Sequence, residues 1–302
     1  MDFSLIPVPL LFVISVIAAI GLNTIKVWYI KRENPLASEM YMINGGLSIV
    51  TLLLLFVFAG FSITVSVYTL ICALLFGLFV TISGVVNNFA LKIGPYSYTQ
   101  TIISLSTIIT ALSGWVFWGE SLSVFKIIGL FFILACFFLA VDKSKDKNSA
   151  NVKWFMLCMV CLVSSAAIGL TQKVHQSSDF RAEIYGFLII TFIISTIVSF
   201  VFGFLIRRKE IKTLDRTAKQ KINWKFLIFT CVVCGVGTAF NHGINLFLAG
   251  AVESAIMFPI VNGVPFVAAV ALSFLLFKER LSKKQTVGLI VGIIAMLCLC
   301  LG

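Results

Sequence analysis

Along this chain, apolar runs of about 20 residues, enough for a helix to cross a hydrocarbon core, alternate with short polar segments. Ten runs fit the pattern: residues 5–30, 38–59, 67–91, 96–118, 124–141, 154–171, 184–206, 224–248, 254–277 and 286–301. Lipid offers no hydrogen-bond partner to open backbone groups, so each run that enters a membrane must be helical. The pattern therefore predicts an all-α polytopic membrane protein with ten transmembrane helices. The first run has no basic stretch before it and no small-residue cleavage site, and it continues into Lys31-Arg32. It reads as a retained span, not a signal peptide.

The pattern occurs twice. Residues 96–118 end in Trp118-Gly119-Glu120, with Gly129 nine positions after the acid. Residues 254–277 end in Phe277-Lys278-Glu279, with Gly288 again nine positions on. Upstream, Thr81 and Asn88 match Thr238 and Asn245 at an offset of 157, and Glu120 and Glu279 follow at 159. A period of half the chain implies two fused units. Five helices is an odd number, so two similar five-helix units must cross the membrane in opposite senses. That gives two inverted-topology five-helix repeats, an arrangement typical of secondary transporters. The expected division is a first repeat over 1–141, a polar linker over 142–153 and a second repeat over 154–302.

Composition agrees with a membrane setting. The chain is 60% hydrophobic and 12% charged, with a mean hydropathy of +1.08, too little polar surface to coat a water-soluble globule. A net charge of +11 would suggest nucleic acid in a soluble chain. Here the basic residues fall between apolar runs, where the positive-inside rule accounts for them, so no nucleic-acid partner is expected. Of 23 Lys and Arg, 20 follow odd-numbered runs when Lys26 is counted with Lys31 and Arg32. This bias puts the odd-numbered connections in the cytoplasm and both termini outside. Cys158-x-x-Cys161 and Cys231-x-x-Cys234 have metal-ligand spacing, but they lie in mid-helix with no second pair or histidine to match. They read as small buried packing residues, and no metal or cofactor is expected. His175 and His242 stand 67 residues apart, and the chain has no phosphate-binding loop and no nucleophile with an evident base. It does not read as an enzyme.

Polar residues inside spans need a partner or a wet cavity. Thr238, Asn241 and Asn245 follow at spacings of three and four, hence on one helical face, with His242 at its border. Thr81, Gly84 and Asn88 form a weaker copy. Gln100, Ser104 and Thr107 line up on the fourth run, and Ser254, Phe258, Asn262, Pro265 and Ala269 on the ninth. The predicted substrate site is a central cavity with Asn88 and Asn245 as its matched pair, joined by Asn241, Gln100, Asn262, Thr107 and His242. Pro259 and Pro265 free carbonyls that such a cavity can use. The alternative is that these groups only stitch helices together, at about 0.6 kcal/mol per bond. Glu253 is the acid closest to a polar face and is the candidate coupling group, unless it is merely interfacial. Glu120 and Glu279 sit at helix ends, where each is expected to cap the following helix.

The two halves, with their acid-then-glycine turns over residues 106–129 and 265–288, resemble EamA-type proteins of the drug/metabolite transporter superfamily. The resemblance implies a ten-helix inverted-repeat carrier with a cavity lined by the third, fourth, eighth and ninth spans. It also implies cytoplasmic termini, against the charge bias. Small four-helix relatives couple export to protons through a carboxylate in the first helix, but residues 5–30 contain no acid. The expected function is alternating-access transport, in the sense of export, of small organic metabolites or amino-acid-like solutes across the cell membrane. A lipid or lipid-linked sugar flippase and an intramembrane enzyme are the alternatives. The expected partners are the solute and membrane lipids, with monomer and homodimer both open.

Overall fold

A computed structural model of the chain describes residues 3–94, 96–121, 123–140, 152–213, 222–277 and 283–301. Glu279, with its expected capping role, and most of the linker over 142–153 lie outside them. The described residues are helical and contain no strand. The first half holds α1 (Val8–Glu33), α2 (Ala37–Phe58), α3 (Val67–Ile93), α4 (Tyr96–Ser104), α5 (Ser106–Trp118) and α6 (Val124–Ala140). The second holds α7 (Val152–Gln176), α8 (Ile184–Thr213), α9 (Trp224–Ala251), α10 (Ser254–Phe258), a π turn (Pro259–Gly263), α11 (Val264–Phe277) and α12 (Lys283–Leu301). Among the described residues, eight helical stretches are long and apolar enough to cross a membrane, and Val124–Ala135 is a shorter apolar stretch.

Burial runs opposite to that of a soluble protein. Leu53, Val57, Phe131 and Ile197 are more than half exposed, while Asn44, Ser48, Thr51, Ser195 and Ser199 are buried. These polar groups close the seam between α2 and α8. Asn44 Nδ2 donates to Ser199 Oγ at 2.9 Å, Ser48 Oγ and Ser195 Oγ share a hydrogen bond of 3.0 Å, and Thr51 Oγ1 reaches the Gly235 carbonyl of α9 at 2.9 Å. Gly235 itself lets α9 approach α2. A Cβ there would stand 2.6 Å from Val50 Cβ and 2.8 Å from the Leu47 carbonyl. Lipid tails supply no hydrophobic drive between helices, so close packing and such bonds hold the bundle together.

The two halves meet helix by helix. α1 packs on α9 and α3 on α7, while α2 packs on α8, α4 on α11, α5 on α10 and α6 on α12. Carboxylates reinforce the seam by reaching helix starts in the opposite half. Ser38, at the start of α2, donates N–H and Oγ to Glu210 of α8 at 3.2 and 2.5 Å. Ser66, the N-cap of α3, donates N–H and Oγ to Glu183 at 2.8 and 2.9 Å. Each carboxylate satisfies a backbone donor that its helix leaves open and faces the positive end of the helix dipole.

Two local features differ from the sequence expectation. The run over 96–118 is not one helix. It tightens at Leu105, whose N–H bonds to the Ile102 carbonyl at 3.2 Å and whose carbonyl accepts from Ile108 at 3.1 Å, both three-residue spacings. α1 also continues through Lys26 to Glu33. It stops at Asn34, held left-handed at φ 45°, with its N–H on the Ile30 carbonyl and Pro35 following, a common helix ending. Lys26, counted from sequence as a connection charge, is therefore an intrahelical residue.

Two outcomes follow from these contacts. Gly235→Val should destabilise the purified protein by roughly 1–3 kcal/mol through overpacking, seen as a lower midpoint of thermal unfolding in detergent. An unchanged midpoint would show that α2 and α9 do not approach as described. Burial pushes the Glu183 carboxyl up, but hydrogen bonds from Thr69 and Ser66, with His175 nearby, outweigh it and hold the group below its ordinary range. A depressed pKa contributes stability above the unfolded value of about 4.3, which is lost as pH falls through the folded value. Glu183→Gln should therefore be less stable than the parent at neutral pH, and the gap should close on acidification through that range. A gap independent of pH would exclude the carboxylate as its source.

Candidate functional site

A cavity of about 270 Å³ lies between the halves. Its walls come from α1, α2, α3 and α4 on one side and from α7, α9, the π turn and α11 on the other, with single residues from α5, α8 and α10. Both interrupted helices border it. Ser104 and Ser106 flank the break at Leu105, and Phe258, Val261, Asn262 and Pro265 come from the π-turn region. The proline at the start of the π turn and Pro265 just after it remove backbone donors from this stretch. Irregular backbone at membrane depth is tolerated where it is buried in protein or lines a cavity.

Five of the residues expected at the site line the cavity: Gln100, Asn241, His242, Asn245 and Asn262. Asn241 and Asn245 are already engaged. Ser15 Oγ of α1 donates to Asn245 Oδ1 at 2.6 Å, Asn245 Nδ2 donates to Asn241 Oδ1 at 3.3 Å, and Asn241 Nδ2 reaches the Ser15 carbonyl and Oγ at 3.1 Å each. These two amides fix α1 against α9 while facing the cavity. Asn87 Oδ1, Gln100 Nε2 and His242 Nδ1 differ: each is buried without a hydrogen-bond partner in the protein, and all three residues line the cavity. The His242 ring is gripped between Phe76 and Phe192, with centroids 5.8 and 5.6 Å away.

Other expected positions fall elsewhere. Asn88 is buried and donates its Nδ2 to the Met40 carbonyl at 3.2 Å, so it binds α2 and is not part of the cavity wall. Asn87 lines the wall instead, since one residue turns a helix by about 100°. Thr107 is fully buried, its hydroxyl without a partner, and lies outside the lining. Glu253 pairs with Lys126 at the start of α6 and is likewise not a lining residue. Contrary to the sequence expectation, Glu120 does not cap α6, where Ser123 Oγ accepts the Lys126 N–H instead. Its carboxylate accepts the Ser254 N–H and Oγ at 2.7 and 3.1 Å and pairs with Lys173 at 2.6 Å. Gly119, left-handed at φ 65°, supplies the turn that places it. Lys126–Glu253 and Glu120–Lys173 thus form two ion pairs that join the halves at one end of the bundle.

Sequence reasoning overlooked the first two helices and α7, which contribute Asn23, Lys26, Asn44 and Gln172 to the wall. Lys26 had a readable signal. It lies inside the first apolar run, and an ionisable residue within a span points to function by default. The four cysteines of the two C-x-x-C pairs are buried free thiols. Cys234 Sγ bonds to the Leu22 carbonyl at 3.3 Å.

The fold and this cavity define a multi-pass helical membrane protein built around a polar chamber. Residues 152–301 match the model of the EamA-like transporter family. The second half of the chain is thus an EamA-type unit within a multi-pass membrane protein. No curated protein matches the chain. A solved crystal structure, described only as that of a protein, covers 97% of each chain with a TM-score of 0.66 at 9% identity. A likeness at that identity is one of fold alone.

Glu120→Ala should cost about 3–5 kcal/mol of stability by leaving the buried Lys173 ammonium unpaired. Denaturant unfolding of the detergent-solubilised protein measures this. A loss below about 1 kcal/mol, the range of exposed pairs, would mean that the ion pair does not join the halves.

Proposed function

We propose that this protein is a secondary transporter of small organic metabolites or amino-acid-like solutes, exporting them across the cell membrane by alternating access. The observation that carries this reading is the cavity between the halves, three of whose lining residues, Asn87, Gln100 and His242, each carry a buried polar atom that no protein group satisfies. An unmet buried donor or acceptor costs about 1–3 kcal/mol, and a polar solute would remove that cost. Gln100, His242, Asn241, Asn245 and Asn262 are the proposed contacts, with Asn87 in place of Asn88.

The proposal includes ten spans in two inverted five-helix repeats. In its support, the first and third helices of each half pack on the third and first of the other, as a two-fold axis between repeats would arrange them. Interrupted helices at the fourth position of each half, beside the cavity, are a feature of transporter sites near the membrane midplane. The two ion pairs close one end of the cavity in this scheme, and their exchange for contacts at the other end accompanies transport. Glu253 then acts as a gate partner of Lys126.

Solute flux into proteoliposomes containing the purified protein, guided by metabolite profiles of cells with and without its expression, tests the reading. Asn87→Ala and Gln100→Ala should each weaken apparent affinity roughly two- to tenfold, the worth of one net hydrogen bond, while leaving the folded protein intact. Unchanged affinity in both variants would remove the site. Identical metabolite profiles with and without the protein would remove the function.

A further inference from the structure

We infer that the solute is a small organic anion whose charged group sits against Lys26. This rests on the transporter reading and names its substrate class. Lys26 lies on α1, is 8% exposed, and lines the cavity. Among the described residues it is the one Lys, Arg, Asp or Glu on the wall, and no carboxylate pairs with it.

The second half supplies a control within the same chain. Gly169-Leu170-Thr171-Gln172-Lys173-Val174 of α7 repeats Gly21-Leu22-Asn23-Thr24-Ile25-Lys26-Val27 of α1 with one residue fewer. Lys173 has its carboxylate, Glu120, at 2.6 Å. The equivalent Lys26 has none, and its electrostatic neighbours are the thiols of Cys234 and Cys161. A buried cation without a counterion is strongly disfavoured, and in a binding cavity the ligand is the group that can neutralise it.

The remaining chemistry limits the class further. The wall offers no acid, so a zwitterion would bring an ammonium with no carboxylate to meet it, and a net anion fits better. This narrows the metabolites and amino-acid-like solutes of the transporter reading to those with a net negative charge. Gln100 Nε2 can donate to the anion's other oxygens, and Asn87 Oδ1 can accept from a hydroxyl. At about 270 Å³ the cavity lies just below the roughly 300–1,000 Å³ of drug-sized sites, which suits a metabolite of modest size. Carboxylate and phosphate share the required charge.

The test compares matched probes on the full-length protein: lactate with lactamide, malate with malamide, and glycerol 3-phosphate with glycerol. Thermal stabilisation in detergent reads binding, and counterflow in proteoliposomes reads transport. At least one anion should stabilise the protein where its uncharged partner does not, and the pair that responds tells carboxylate from phosphate. Lys26→Met should reduce that anion's affinity at least tenfold, about 1.4 kcal/mol, and Lys26→Arg should keep the preference for charge. Uncharged partners that bind equally well, no response to any anion, or a Lys26→Met variant with its anion preference intact would each overturn the inference. Because the first two outcomes are read on the parent protein, they hold even if the Met variant fails to fold. Counterflow of uncharged solutes alone would leave the carrier standing without the anion site. Anion stabilisation without any flux would do the reverse.

Discussion

Hydrocarbon has no hydrogen-bond donors or acceptors to lend, and every backbone polar group in the spans of this chain has to be satisfied within the protein. Helices meet most of that demand along their length but leave the first N–H groups open at each start. Here three of those starts are met from the opposite half. Glu210 holds Ser38, Glu183 holds Ser66, and Glu120 holds Ser254. The same bonds that complete helices therefore also fasten one half to the other, so local structure and tertiary assembly depend on the same few carboxylates.

The cavity follows from what this fastening leaves unfilled. Where α2 meets α8, hydroxyls and an amide satisfy one another and the helices close tightly. Around the interrupted α4–α5 and α10–α11 segments the helices cannot run straight through, and polar groups remain that have no protein partner. Asn241 and Asn245 occupy an intermediate position. They hold α1 through Ser15 and still face the chamber, so a structural role and a place on the wall are not exclusive alternatives for these amides.

Charge is distributed unequally over this frame. Lys126 and Lys173 are buried with acids beside them and serve to join the halves. Lys26 is buried beside the thiols of Cys161 and Cys234 instead. In a low-dielectric interior an ion pair that satisfies itself contributes cohesion, whereas an unpaired ion creates an affinity for whatever can neutralise it.

The helical stretches and their membrane character were legible in the sequence, because a span of apolar residues long enough to cross lipid has few other folded solutions. The polar face of α9 was legible for the same local reason, since Thr238, Asn241 and Asn245 share one side of any helix. What stood across from a face was not. Asn87 and Asn88 differ by one helical step, and only the position of Met40 on α2 decides which of them is taken up by a neighbour. The break at Leu105 carries no proline to announce it, and Glu120 finds its partners 53 and 134 residues away at Lys173 and Ser254. Lys26 lies inside the run over residues 5–30, but its charge groups it with Lys31 and Arg32 just beyond, and sequence alone does not show that it faces a cavity. Periodicity is a property of one helix, whereas a cavity, an ion pair or a cap is a relation between two, set by tertiary packing.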